Sequence, residues 1–528
     1  MANALRWWQR GIFYRVVVRS FYDTDGDGSG DLRGIIEKLD YFDWLGVDAL
    51  LLSPIFPSPM LEFGFDVTDY KDVHPLFGSL QEFDRLLVAA HERGIKVANE
   101  WVANHTSSEH PWFKEARSSR DNPRRDWYIW VDPRPDGSPP NNWLSTFGGS
   151  AWEWDERTGQ YYYHKFLKEQ PDLNWRNPEV QEAMFDTLRF WLDRGVDGIR
   201  VDVLTRIIKD DQLRDNPVNP AFKEGDLPDM YHRDIYTDDR PEVHDLVIKM
   251  RQVIEEYDDR LLSGEMYLPT EQMMRYYGED PPKLHFPLNC RLGWTDWNAD
   301  ALTESVNDYL ENLPACGWPM WMTGNHDSTR IATRAAGEQK RNAAMLLLTL
   351  PGTIKIYYGE EIGMHDVDVP PDKIQDPQGV RTGRQRDPER TPMQWNESRY
   401  AGATTGEPWL PVADDYKSIN VSAEAKDPRS MLTLYRRLLA IRRREPVLTA
   451  GRHVPLPRGE PIVAYCREDE QRNLLIVLNI GSEELMYDFP EGGRGRVIVS
   501  TFLDRAGERT EGSVKLRGDE GVIVQLSP

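Results

Sequence analysis

Apolar residues recur along this chain with two alternating periods. GIFYRVVVRSF (residues 11–21) is β-branched and aromatic, the pattern of a strand. RGIIEKLDYFDWLG (33–46) has helical spacing, ALLLSP (49–54) is a short continuous apolar run like a buried strand, and SLQEFDRLLVAAHERG (79–94) is a second helix. In that helix Ser79 and Glu82 make a capping box and Gly94 supplies the stop. KVANEWV (96–102) gives a third strand. From 106 to 173 the sequence is rich in Trp, Pro, Asn and Gly without a long periodic helix, which predicts an inserted, lid-like domain. The alternation resumes at Asn177, an N-cap followed by Pro178 and by Val180, Met184, Leu188 and Trp191 on one face. GIRVDV (198–203), LLSGEMY (261–267), KLHFPLN (283–289), PMWMTG (319–324) and TIKIYYG (353–359) complete eight strands, with helical stretches between them. This predicts an α/β chain built on a (β/α)₈ barrel. An open doubly wound sheet fits less well, because no glycine-rich phosphate loop follows the first strand. Past Pro446, PIVAYC, LLIVLNI, RVIVSTF and GVIVQLS predict a small antiparallel β-sandwich. The expected domains are 1–105 with 174–448 (barrel), 106–173 (lid) and 449–528 (β-sandwich).

Composition narrows the classes of ligand. At 528 residues the chain exceeds what one core supports, and 39% hydrophobic with 11% aromatic content gives it ample material to bury. A net charge of −23 disfavours nucleic acid and anionic membrane, while 18 Trp and 22 Tyr offer flat faces to neutral ligands such as sugars. Cys290, Cys316 and Cys466 are far apart and odd in number, so buried thiols are expected, not a disulfide framework or a cysteine metal clip. MANALRWWQRGIF lacks the apolar core of a secretory signal, and no apolar run reaches the roughly 18 residues of a membrane span. A soluble, cytoplasmic protein is expected, with its oligomeric state left open.

Barrel enzymes carry their chemistry at the C-terminal ends of strands. Asn104 and His105 fall there after strand three, Arg200 and Asp202 on strand four, Glu265 on strand five, and Asn325, His326 and Asp327 after strand seven. Each has an ordinary explanation singly, but burying several charges at one rim costs stability unless they serve a site. Arg200 and Asp202 share one side of their strand, and the fixed cation is expected to favour the ionised carboxylate that a nucleophile needs. Glu265, from the adjacent strand, would face Asp202 across a sugar-sized gap, the arrangement of a retaining glycosidase. Asp327 would stabilise developing positive charge or grip ring hydroxyls. Metal-dependent hydrolysis is the competing chemistry, weakened because no HxxEH or HxH spacing is present.

The motifs WVANHTSSEHPWF, GIRVD, GEMYLP, GNHDSTR and RTPMQW, with SPM and FGFDVTDY upstream, resemble the α-amylase superfamily of glycoside hydrolases. They are most similar to bacterial α-glucosidases and oligo-1,6-glucosidases, with trehalose synthases nearby. The resemblance spans essentially the whole chain. It implies Asp202 as nucleophile, Glu265 as general acid and base, and Asp327 as transition-state stabiliser. It implies sugar contacts from His105, Arg200 and His326 at the cleaved bond and from Arg386 at the non-reducing end. Where relatives carry Asp and Tyr before the DVxDY segment, this chain has Glu62 and Phe65, and Glu100 replaces a common Asp on strand three, as in trehalose synthases. Val203, just after the nucleophile, goes with α-1,6 linkages in related glucosidases. The implied activity is therefore an exo-acting retaining α-glucosidase on small α-linked glucosides, with no organic cofactor. A glucosyl transferase or isomerase acting on maltose, and a non-catalytic sugar-binding protein, are the alternatives.

DTDGDGSGD (23–31) places carboxylates and glycines as a hard-cation loop does. The twelfth position of an EF-hand would be Gly34 and the preceding segment is a strand, so a calcium sensor is excluded. The resembling glucosidases often hold a structural cation here. It would be Ca²⁺ or Mg²⁺, held by the side chains of Asp23, Asp25, Asp27 and Asp31 and the carbonyl of Ser29. An acidic turn without metal remains the other possibility.

Overall fold

Eight parallel strands, Ile12–Val16, Ala49–Leu52, Lys96–Trp101, Gly198–Val201, Leu261–Met266, Phe286–Asn289, Met320–Trp321 and Thr353–Tyr357, form one sheet. Numbered one to eight along the chain, they run in the spatial order seven, eight, one, two, three, four, five, six. Strands six and seven lie side by side and bring the sheet round into a nearly closed barrel. This is a computed structural model, which describes residues 5–335, 337–457, 459–490 and 492–527.

Period two along the strands separates the two faces. Ile12, Tyr14 and Val16 of strand one pack outward into the main core with the helices, while Phe13 joins Ala49, Leu261, Phe286, Leu288, Met320 and Met322 in a separate cluster inside the barrel. Trp7 and Trp8, from the short helix before strand one, close that cluster at the N-terminal end. Nearer the C-terminal end the inward positions turn charged, with Arg15, Glu100, Arg200, Glu265 and Lys355 all buried. The apolar floor fixes the strands. A charged layer lies above it.

Helix signals in the sequence correspond to real caps. Ser79 Oγ accepts from Glu82 N at 3.3 Å at the start of Leu80–Glu92, and Asn177 caps Pro178–Asp193 through Glu179 N. The helix expected over 33–46 is instead two pieces, Leu32–Glu37 and Leu39–Leu45. They break at Lys38, whose ammonium lies 3.7 Å from the centre of the Tyr22 ring and 4.4 Å from that of Trp395. Between strands three and four, Trp130–Val131, Gln160–Tyr163 and Trp152–Asp155 make a three-stranded antiparallel sheet. The C-terminal segment holds a six-stranded antiparallel sheet and a two-stranded one. One cysteine expectation fails: Cys290 and Cys466 are buried, but Cys316 is exposed. No helix among the described residues is long and apolar enough to cross a membrane.

Candidate active site

Arg200 is the hinge of the barrel mouth. It sits on strand four, in register between Glu100 of strand three and Ser263 of strand five. Its guanidinium contacts Glu100 and Glu265 and lies 3.0 Å from Asp202 Oδ1. Arg15 reaches the other oxygen of Glu100. Tyr267 donates its hydroxyl to Glu265 Oε1 at 2.9 Å, and Asn325 Nδ2 donates to that hydroxyl at 3.4 Å. Asp202 directly follows its strand, and the next residue, Val203, has φ +37°, a left-handed conformation that costs a β-branched side chain energy.

A second set of side chains closes the site from the loops. Asp327 Oδ1 accepts from Arg386 at 3.1 Å and Arg390 at 2.8 Å, and His326 Nε2 lies 3.3 Å from Oδ2. Arg386 also holds Glu62 at 3.1 Å and Asp376 at 2.8 Å. Glu62 accepts from Gln170, whose amide nitrogen is 3.1 Å from His105 Nε2. The Phe65 ring stacks on His326 with centroids 5.7 Å apart. Val203 packs against Phe147, Phe166 and Leu167, and Phe166 lies against His105. The structure thus gathers Glu62, Phe65, His105, Arg200, Asp202, Val203, Glu265, His326, Asp327 and Arg386 at one end of the barrel. Asn104 is turned to structure, bonded to Asp172 and Lys209.

The electrostatics correct one expectation. Burial first, and then the Glu265 carboxylate, raises Asp202 well above the ordinary carboxyl range, so Arg200 beside it does not by itself keep it ionised. Asp327 behaves oppositely: burial opposes its charge, but Arg386, Arg390 and Arg200 overcome it and hold the carboxyl low. Burial keeps His326 and His105 neutral, His105 pushed down to about 4. Burial raises Glu62 against the pull of Arg386.

In the loop after strand one, carboxylate oxygens of Asp23, Asp25 and Asp27 come within 4.8 Å of one another. This donor set suits a hard cation. Asp31 does not join it: one oxygen accepts from Gly34 N at 2.7 Å, capping Leu32–Glu37, and the other from Thr24 N and hydroxyl. That carboxylate serves as the N-cap of the helix. Ser29 N donates to Asp27 Oδ1 at 2.7 Å, inside the same loop.

A family model described as the catalytic domain of alpha amylase matches residues 15–451. The chain belongs to the α-amylase family of glycoside hydrolases. Within this family it is 38% identical over 521 residues to a probable alpha-glucosidase of Rhizobium meliloti (strain 1021), covering 94% of each chain. It is 38% identical over 542 residues to an oligo-1,6-glucosidase of Heyndrickxia coagulans, covering 94% of this chain and 96% of the relative. The solved structure of an alpha-glucosyl transfer enzyme, XgtA, superposes with a TM-score of 0.94 at 39% identity, covering 99% of this chain and all of the other.

Several residues of the site escape sequence reasoning. Arg390 was within reach, since it opens the RTPMQW motif. Tyr267 follows Glu265 by two on the same strand face, a period-two signal. Gln170 and Asp376 lie in segments without periodicity and carry no local signal of their place beside Glu62 and Arg386.

Proposed function

We propose that the protein is a retaining, exo-acting α-glucosidase that removes terminal α-linked glucose from short oligosaccharides or disaccharides. The observation that carries this is the single Arg200 guanidinium in contact with both the Asp202 and Glu265 carboxylates. One guanidinium spanning both supports the short separation, about 5 Å, of a retaining pair over the wider gap of an inverting one. A retaining mechanism needs Glu265 protonated and Asp202 ionised when substrate is bound. Asp202 then attacks the anomeric carbon while Glu265 gives its proton to the leaving oxygen. Water next attacks the glucosyl ester, Glu265 takes the water's proton, and the bond to Asp202 breaks. Asp327, held ionised by its arginines, would face the cationic transition state. Glu62 and Arg386, bonded across the mouth beside Gln170, would meet the terminal hydroxyls, which supports exo-action. Val203 in the apolar cluster with Phe147 and Phe166 supports a preference for α-1,6 bonds, worth at most about 1 to 3 kcal/mol for one apolar contact.

A second reading is transfer or isomerisation from the same glucosyl-enzyme, as by a trehalose synthase. It is supported by the likeness to a glucosyl transfer enzyme and by Glu100, tied to Arg15 and Arg200 beneath the site. Product analysis on isomaltose, maltose, sucrose and trehalose separates the two: free glucose marks hydrolysis, and conversion of maltose to trehalose with little glucose marks isomerisation. Absence of any product from folded enzyme defeats both. Asp23, Asp25 and Asp27, with the Ser29 carbonyl, would hold Ca²⁺ or Mg²⁺, which would stiffen the barrel rim and take no part in the reaction.

A further inference from the structure

Glu265 has to serve in two opposite states, as an acid in the first step and as a bare carboxylate in the second. Two donors meet the same one of its oxygens: Arg200 Nη2 contacts Oε1, and the Tyr267 hydroxyl donates to Oε1 at 2.9 Å. The direction of that hydroxyl proton is set from behind. Asp327 N donates to Asn325 Oδ1 at 2.9 Å, which turns the Asn325 amide nitrogen toward Tyr267, 3.4 Å from the phenol oxygen. With a donor already on that oxygen, its one proton is left for Glu265. Desolvation, then the Glu265 charge, pushes the phenol well above its ordinary range, so it remains a donor at neutral pH. The ring is 47% exposed and meets the equally open Trp294 edge to face, while the hydroxyl end is turned into the mouth. A ring this open buries little apolar surface, so packing does not account for a tyrosine at this place.

We propose that Tyr267 is a positioning residue for Glu265: with Arg200 it occupies Oε1, so that Oε2 is the oxygen that gives a proton to the leaving group and takes one from water. The inference rests on the glucosyl-enzyme reading above. A donor on Oε1 favours the carboxylate over the acid, so the hydroxyl acts chiefly on the second step. There Oε2 takes a proton from water, the water oxygen bonds to the anomeric carbon, and the bond from that carbon to Asp202 breaks to leave a carboxylate. In the first step the hydroxyl matters least where the leaving group needs no proton.

The test uses the whole enzyme and α-glucosyl fluoride carrying a second fluorine on ring carbon five, which slows both steps enough to time each one. Loss of activity reads formation of the ester on Asp202, intact-protein mass spectrometry counts that ester, and return of activity after gel filtration reads its hydrolysis. Tyr267→Phe keeps the ring and removes the hydroxyl. Hydrolysis of the ester is expected to be about tenfold slower, the size of one lost hydrogen bond to a charged group, with its acid limb about one pH unit higher. The sign follows because hydrolysis needs the carboxylate and the lost donor favoured it. Formation of the ester changes less than about twofold, since fluoride leaves with little help from an acid. The other groups facing this pair, Arg15, Arg200, Asp202, Cys290, Asp327 and Lys355, are the same in both proteins and give a common background. Trp294→Leu, which loosens the ring and keeps the hydroxyl, leaves the acid limb in place. An acid limb unmoved in Tyr267→Phe, formation slowed as much as hydrolysis, or an equal shift in Trp294→Leu overturns the positioning role and leaves the glucosidase reading standing. Wild-type enzyme that forms no ester on Asp202 and releases glucose from no donor overturns both.

Discussion

Two acidic clusters stand at the same end of the barrel with the same residue types and opposite surroundings. Asp202, Glu265 and Asp327 are met by Arg200, Arg386, Arg390 and His326, each in side-chain contact. Asp25 and Asp27 are exposed, and the loop's carboxylates accept from backbone N–H groups and Thr404. In the mouth, fixed guanidiniums supply the positive charge, so no mobile ion is required to balance the acids. Among the described residues no salt bridge reaches the loop's Asp23, Asp25 or Asp27, although Asp27 lies near enough to Arg19 to favour its charge. Partial desolvation by the loop, then Asp25 and Asp23, push Asp27 up, while the Thr404 hydroxyl and the N–H groups of Gly26, Gly28 and Asp25 hold Asp23 low against burial. Carboxylate number alone therefore says little about role; the nature of the countercharge decides it.

The comparison is broken most forcefully at the mouth. Asp202→Asn should lower kcat by at least about 10⁴ with the circular dichroism spectrum and Tm unchanged, since an amide is a poor nucleophile. Substantial residual turnover would move the nucleophile elsewhere. Arg386→Leu should follow, lowering kcat/KM by about 10² and stability by about 3 kcal/mol, because it strips Glu62, Asp327 and Asp376 of a shared partner. Adding Glu62→Gln should restore part of the stability in a denaturant titration but little of the activity. If Arg386→Leu changes neither, the mouth is not held by its countercharges.

At the loop the expected effect is smaller and of another kind. Chelation should lower Tm by a few degrees while kcat changes by less than about twofold, because an ion bound to the folded form alone adds stability by mass action. Asp25→Asn should remove most of that chelator sensitivity. A Tm indifferent to chelator would make Asp23, Asp25 and Asp27 an acidic turn with no ion.

How much of this was legible follows from where the signals lie. The barrel was, because buried parallel strands are continuous apolar runs, and strand-end acids such as Asp202 and Glu265 take their place from the strand itself. Asp31 is harder to read, because an acid spaced like a ligand is also an ideal N-cap, and only the start of Leu32–Glu37 shows that it caps. The upward shift of Asp202 was hidden for a different reason: a sequence shows a neighbouring cation but not the burial that outweighs it. Gln170 and Asp376 were invisible because aperiodic loops deliver them.

Lys355 belongs to neither cluster and gives the smallest effect on turnover. It faces the barrel interior on strand eight, opposite Phe13 in the ladder, between the apolar floor and the charged mouth. Burial lowers its ammonium to about 7, with Arg15 and Arg200 adding to the shift and Cys290 and Glu265 opposing it. The unfolded chain keeps this lysine in its ordinary range near 10.5, so between the two values the unfolded state binds the extra proton. Folding stability from this group therefore rises as pH climbs from about 7 to about 10.5, and its full cost applies below about 7. Lys355→Met removes the titration while keeping an unbranched chain in the same space. Its Tm should gain on the wild type most at about pH 6 and least at about pH 10. A gap that is the same at both pH values would show that Lys355 keeps its proton in the folded barrel. The mouth's acids would then draw on one more fixed cation than the arginines supply.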